Sequence, residues 1–490
     1  MTYAGGGLDW LELKTLDLRF LYANPTPEHA DLVCIDIDDA SIETVGRWPW
    51  PRDVQAGVLS VLAEAGVKAL LVDITLGEAE PVRTKVPRQL DIAFDPLTLD
   101  LHDAELVFPD YEIRAAIEDV GPAYLAFDYS TGDAWKDVLY SDGFARAVAA
   151  LESANEADAR RLAARLPRRP AKPAEPAWEP WLWVRMVAAL EAEPTDDSSA
   201  LARRVAVSDA AAVSRAIDAC RDVALRRRVR AWLDAEPQRW TEPPPKLFAA
   251  LAPELTGGQA GYDEALAAAL REVLSYRATT RTELAPLAQV ADAAPPVDAV
   301  SPVYFLHASA AKRCGFVVFE PDNDGVMRRC RLLVQHDGHV LPQLAFAVAF
   351  DQLGLRPEDV RAEPGRLILR THDRSSPLVI QLDDRGRALL PWVPQRDWTR
   401  QFGEHVPAAA VWQVFDRRTK IADNRALVLA QLGTLLGQGR LAEQRQYHED
   451  LKARVKLDES LRLARFGDDR SAARDCGSWI ADYDKLLAES

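Results

Sequence analysis

The chain has 490 residues, 48% of them hydrophobic and 27% charged, a globular composition with length enough for two or three domains. A formal net charge of −16 and a pI near 5.1 argue against nucleic acid or an anionic membrane surface as a general partner, leaving only a local basic patch open. Five cysteines, Cys34, Cys220, Cys314, Cys330 and Cys476, show neither CxxC nor Cys/His metal spacing, so neither a zinc ribbon nor a dense disulfide framework is indicated. The odd count leaves at least one thiol free or paired between chains. No run approaches the ~20 apolar residues that span a bilayer, and the opening MTYAGGGLDW lacks signal-peptide features, so the chain as given reads as soluble.

Residues 8–22 place Leu8, Leu11, Leu16, Phe20 and Leu21 at partial helical spacing and predict a short amphipathic helix leading into the first strand. Leu32, Val33, Cys34, Ile35 and Ile37 form an apolar run of strand length. In extended geometry Asp36 and Asp38 point to one side of it, roughly 7 Å apart. Pro51 suits the first position of a helix, Val54, Val58, Val61, Leu62 and Ala65 make its apolar stripe, and Gly66 stands just past its end. Residues 67–76 predict a second buried strand, 110–120 a helix with Ile113, Ala116 and Ile117 inward, and 122–129 a third strand. Right-handed crossovers make such strands parallel and gather their carboxyl ends on one edge. Asp36, Asp38, Asp73 and Asp128 lie at or near those ends. If the strands are neighbours, that edge is an acidic crevice where open α/β sheets take ligands.

From about 130 to 298 the sequence turns alanine- and arginine-rich, broken by PRRPAKPAEP (167–176), EPPPK (242–246) and APPVDAVSP (294–302). This predicts an all-helical insertion with extended proline hinges, in which Trp178, Trp181, Trp183, Trp232 and Trp240 anchor a small core. Regular α/β signals resume at Tyr304. Residues 315–319 and 326–335 predict two strands around the turn PDNDG, with Asp324, Arg328 and Arg329 on a solvated hairpin. Residues 341–353 predict an apolar helix ended by Gly354, 366–370 and 378–382 short strands, and 421–490 a charged helical tail at a surface or interface. The expected fold class is α/β: a parallel strand-helix-strand core with added antiparallel strands, plus an all-helical insertion and a helical C-terminal tail. The expected divisions are 1–129 and 301–415 for the two parts of the core, 130–300 for the insertion and 416–490 for the tail.

Two carboxylates on one face of an apolar strand call for a role. Asp36, Asp38 and Asp39 with Asp73 offer the oxygens a hard cation wants; equally, Asp38 or Asp39 caps the turn ASIETVG while Asp36 bonds neighbouring backbone. Trp48 and Trp50 flank Pro49 on a stiff segment that suits a ligand-stacking wall or a plug at the end of the sheet. Arg47 and Arg52 bracket them, and a salt bridge such as Asp38 with Arg52 fixes the loop and leaves no free metal site. Asp36-Ile37-Asp38 also resembles the nucleophile and acid pair of haloacid dehalogenase phosphatases, which implies a metal-dependent phosphohydrolase. Against this, Ala40 stands where that family has Thr or Val, and Gly467-Asp468-Asp469 lies in the helical tail at the wrong spacing. There is no P-loop, GxSxG, HExxH or strand-borne GxGxxG, and the eight histidines form no ligand cluster.

Residues 31–76, with their DIDDAS and GRWPWPR motifs, resemble the opening of the CHASE sensor domain, type two, as does the preceding LKTLDLRF. Residues 315–354, GFVVFEPDNDGVMRRCRLLVQHDGHVLPQLAFAVAFDQLG, are similar to that family's later block. The resemblance covers about 13–129 and 304–412, with the helical stretch as an insertion. It implies a bacterial extracytoplasmic sensory module, on the periplasmic face of the membrane, tethered by flanking transmembrane helices and driving a cytoplasmic nucleotide cyclase, histidine kinase or serine/threonine kinase. Neither membrane segments nor an output domain occur here, so the chain is expected to be a sensor fragment, a gene whose ends lie elsewhere, or a soluble relative.

The reading is therefore a non-enzymatic input domain for an undefined small-molecule or protein signal, with no cofactor and no metal, and with homodimer contacts as a further expectation. Asp36, Asp38, Asp39, Trp48, Trp50, Arg52 and Asp73 are the candidate ligand-binding residues. The alternatives are the phosphohydrolase using Asp36 and Asp38, and a soluble interaction protein binding through the helical insertion.

Overall fold

The computed structural model describes residues 6–22, 31–85, 105–131, 180–193, 197–206, 210–256, 263–281, 284–297, 299–372, 376–390, 405–436, 449–457, 478–481 and 485. The chain divides into two units, Met1–Trp412 and Gln413–Ser490.

The first unit opens with α1 (Gly6–Tyr22), β1 (Cys34–Asp36), α2 (Asp39–Val45), α3 (Arg52–Glu64) and β2 (Leu70–Thr75). There follow β3 (Arg83–Lys85), β4 (Glu105–Val107), α4 (Pro109–Val120) and β5 (Ala123–Ser130). Proline starts α4, and Gly121 at φ 91° leaves it through a backbone conformation that a side chain resists. β5 is the centre of the core sheet: it pairs parallel with β2 at Leu70↔Ala123 and, at Tyr124↔Arg313, parallel with β7 (Arg313–Phe316). The end of β5 also pairs antiparallel with β6 (Ala299–Ser301).

Every residue from Ala123 to Phe127 is buried, as a strand covered on both faces must be. On one face Leu125 and Phe127 pack with Leu59 of α3 and with Ile113 and Ile117 of α4. On the other, Tyr124 and Ala126 meet Leu344 and Ala347 of a later helix. Burial of each such aliphatic or aromatic side chain contributes about 1.5 to 3 kcal/mol relative to exposure.

The insertion is helical, as expected: α5 (Pro180–Ala192), α6 (Ser198–Arg204), α7 (Ala210–Ala235), α8 (Pro244–Thr256), α9 (Asp263–Thr280) and α10 (Leu287–Val290). Leu225, Val229, Leu233, Leu247, Leu251 and Leu266 form its own core, with Trp232 and Trp240 packed against it. Trp178, the side chains of Trp181 and Trp183, and the proline segment 167–176 lie outside the described residues. The EPPPK hinge is instead a helix start, since Pro244 begins α8, where a missing N–H costs nothing.

The rest of the first unit holds α11 (Phe305–Ala310), β8 (Arg329–Arg331), β9 (Leu333–His336), β10 (His339–Pro342) and α12 (Leu344–Gln352). β11 (Val360–Glu363), β12 (Arg366–Leu369), β13 (Leu378–Gln381), β14 (Arg387–Leu389) and β15 (His405–Pro407) follow. The hairpin expected across PDNDG does not form. β7 joins the core sheet, β8 pairs with β14, and the hairpin is one step later, β9 with β10, turning at Asp337 (φ 49°) and Gly338 (φ 81°). An Asp-Gly turn with two positive φ angles matches the twist of a two-residue hairpin. α12 begins at Leu344, so the helix expected from residue 341 gives its first two residues to β10. α13 (Ala408–Leu436) runs from the first unit into the second, where 449–457 are also helical; most of the expected tail lies outside the described residues.

Candidate functional site

β1 is not a neighbour of β2 among the described residues. It pairs parallel with β15, Cys34↔His405 through Asp36↔Pro407, so the four acids do not line one sheet edge. The acids divide into two groups with different partners.

Asp36 bonds the Nδ1 of His405 on the paired strand. Asp38 is the N-cap of α2: its Oδ1 accepts the Ser41 N–H at 2.8 Å, and the hydrogen bonds from Ser41 hold its carboxyl below the usual range. Asp39 sits exposed in the first turn of α2. Ser41 is fully buried; its hydroxyl donates to the Asp36 carbonyl at 3.3 Å and accepts the Ala409 N–H at 3.0 Å, stapling β1 to the residues after β15. Asp38→Ala is expected to speed hydrogen exchange at the Ser41 amide several-fold, whereas Asp38→Asn keeps the cap and the slow rate.

Asp73 lies in the register shift between Val72 and Thr75 of β2 and is exposed. It faces Asp128, whose carboxyl is pushed up by burial and then by the charge of Asp73. No group of three or more His, Cys, Asp or Glu side chains suited to hold a metal occurs among the described residues.

The tryptophan loop closes on itself. Trp50 is 4% exposed, donates its indole N–H to the Gly46 carbonyl at 2.8 Å, and meets Trp48 edge to face at 5.5 Å between centroids. Arg52 does not pair with Asp38. It turns inward to Asp110 at the start of α4 and to the Glu78 carbonyl, while its own N–H donates to Glu80 Oε2 at 2.8 Å. Asp110 Oδ2 accepts the Glu80 N–H at 2.9 Å, and His307 Nε2, fully buried, lies 3.4 Å from Oδ1. Burial alone raises the Asp110 carboxyl, but the neighbouring His307 and the Arg52 guanidinium outweigh it and hold it below its usual range. Burial lowers His307, which keeps that imidazole neutral. Arg52 found a partner 58 residues away because the N-terminus of α4 carries a carboxylate against α3, a contact that no local pattern shows.

A cavity of about 410 Å³ opens beside this cluster, lined by Glu80, Phe108, Asp110 and Tyr111 of the core, Phe248 and Arg271 of the insertion, and Tyr304 and Phe305 before and in α11. Its size is that of small-molecule sites.

The second polar cluster lies where a solvated hairpin was expected. Arg328 is 1% exposed and grips three carboxylates: Asp17 of α1 through Nε at 2.6 Å and Nη2 at 2.8 Å, Asp324 at 2.8 and 2.9 Å, and Asp322 at 3.5 Å. Arg329 and Arg387 also hold Asp322, at 2.9 and 3.2 Å, and Arg331 pairs with Glu320 at 2.8 Å. Hydrogen bonds from Arg328 hold Asp17 and Asp324 below the usual carboxylate range, and those carboxylates push the guanidinium up. Gly325 at φ 81° turns the chain so that Asp322 and Asp324 bracket Arg328. The family model of the CHASE2 domain matches residues 1–430.

The chain belongs to the CHASE2 domain family. These are extracytoplasmic sensory domains, and the chain's mixed α/β fold fits the expectation from its motifs. No curated protein and no solved structure matches it. No helix among the described residues is long and apolar enough to cross a membrane. In this CHASE2 domain two stretches of the resemblance each supply an arginine to an ion cluster: GRWPWPR supplies Arg52 to Asp110, and DNDGVMRR supplies Arg328 to Asp17.

Proposed function

We propose that this CHASE2 domain is the input module of a membrane-anchored signalling protein, without catalysis of its own, that passes its state to an output domain through the helix that precedes the core. The observation that carries this reading is the grip of buried Arg328 on Asp17, which ties the acidic turn of the core to α1. A small displacement of that turn is delivered to α1 as a change in the ion pair between Asp17 and the buried Arg328, and allosteric couplings of this kind amount to about 1 to 3 kcal/mol. The stretch from β1 to β2 frames the core: Asp36 and Asp38 fix α2 and its neighbours, Trp50 seals the loop, and Arg52 supports α4. Trp48, Asp39 and Asp73 are its members left open to a ligand. The insertion at 130–300 modifies access.

The placement is tested by thiol labelling in intact cells of the native host, with the natural gene carrying Tyr22→Cys in a Cys34→Ser, Cys476→Ser background. Tyr22 is 81% exposed, and Cys220, Cys314 and Cys330 are buried. A membrane-impermeant maleimide labels the protein without lysis if the domain lies outside the cytoplasm. Labelling only after lysis overturns the placement.

A further inference from the structure

The cavity between the core and the insertion has a composition that narrows its ligand. Phe108 and Tyr111 meet edge to face at 6.3 Å and are both exposed, at 46% and 57%, Tyr304 and Phe305 meet at 4.7 Å, and Phe248 also lines the cavity. A lining that holds these five aromatic rings favours a flat apolar body.

The acids of the lining are already engaged. Asp110 is held by Arg52 and the Glu80 N–H, and Glu80 accepts the Arg52 N–H and pairs with Arg83 at 2.8 Å. They offer little to a ligand cation. Among the described residues, the side chains of Arg271, exposed on α9, and Tyr304 have no hydrogen-bond or ion-pair partner within the protein. Both line the same cavity, and the Arg271 charge opposes the rise that burial and Asp110 impose on the Tyr304 hydroxyl. A guanidinium and a phenol, both donors and both unpaired in the lining of one aromatic cavity, offer a two-point grip for a carboxylate.

We infer that this cavity binds a small organic carboxylate with a planar aromatic body, its ring between Phe108, Phe248 and Tyr304 and its carboxylate on Arg271 and the Tyr304 hydroxyl. This deepens the sensory reading by naming the class of signal. Binding to the purified chain is independent of where the domain sits in the cell, so the two are tested separately.

The experiment is calorimetric titration of the purified 490-residue chain with indole-3-acetate and phenylacetate, alongside indole-3-acetamide and tryptamine. At least one carboxylate binds, its neutral amide binds about tenfold or more weaker, and the amine is not preferred. Arg271→Gln, on an exposed position that the fold does not need, weakens the carboxylate about tenfold and leaves the amide unchanged; Tyr304→Phe weakens it several-fold. Ala267→Trp, which fills the cavity from α9, abolishes binding of all. Absence of binding by both carboxylates, equal binding of acid and amide, or indifference to Arg271→Gln in a variant with unchanged circular dichroism overturns the inference.

Discussion

Replacing Arg328 with methionine is expected to lower the stability of the first unit by about 2 to 3 kcal/mol at pH 7. Methionine keeps the apolar stem but removes every donor. Asp17 and Asp324 then face each other with only Lys14, at 3.4 and 3.7 Å, to offset them. Breaking a buried pair from one side commonly costs about 3 to 5 kcal/mol because the remaining charge is left without a partner. The lower figure applies because Asp17 is 38% exposed, so water screens what the guanidinium leaves behind. Asp322 is spared, since Arg329 and Arg387 still hold it.

Acid titration separates this from a packing defect. Folding lowers the Asp17 and Asp324 carboxyls, so their contribution is complete above the ordinary carboxylate range, near pH 4, and fades as pH falls through their folded values. The variant lacks that contribution from the start. Its deficit, measured by denaturant unfolding, therefore narrows between pH 7 and pH 3, whereas a cavity leaves a constant deficit.

Gly315→Ala is the other large effect. A Cβ on Gly315 of β7 would stand 2.4 Å from the Cα and 2.7 Å from the N of Leu344, both backbone atoms. Neither side has room to move. β7 is locked to β5 by the pairing Ala126↔Gly315, and Phe316 bridges to Gln343, the residue that caps α12. Over-packing against a flexible side chain costs about 1 to 3 kcal/mol; here the obstacle is the first turn of a helix, and about 3 kcal/mol or more is expected. The denaturant midpoint reads it directly, and a loss below about 1 kcal/mol contradicts the contact.

These two positions show what a sequence carries and what it hides. The apolar stripe of α3 with its proline start and glycine end, the inward Ile113, Ala116 and Ile117 of α4, and the apolar run of β5 are local patterns, and the structure places those elements where the patterns put them. The partner of β1 is β15, some 370 residues on, and no periodicity announces a pairing across such a distance. The hairpin at Asp337-Gly338 rests on an Asp-Gly turn, but the nearby PDNDG segment is richer in turn residues and competes with it as a turn signal. That segment instead cradles Arg328. An Asp-x-Asp-Gly run followed by two arginines reads as solvated surface until a third carboxylate, Asp17 from α1, closes over the guanidinium.

The candidate site divides in the same way. Asp36, Asp38, Trp48, Trp50 and Arg52 stand out by composition, and the structure gives three of them local or framing partners: Ser41 for Asp38, the Gly46 carbonyl for Trp50, and Asp110 for Arg52. Arg271 and Tyr304 carry no motif. They line one cavity only because α9 of the insertion folds against the segment entering α11, which is a tertiary fact.

The buried Arg328 ties the N-terminal helix to the sensory core. Hydrogen exchange of the amides from Leu13 to Tyr22, compared in the natural chain and in Asp17→Asn, tests it most directly. Exchange in that helix several-fold faster in the variant, with β5 from Ala123 to Ser130 unchanged, is the predicted result. Equal rates in the helix, or an equal acceleration of helix and core strand, would contradict it.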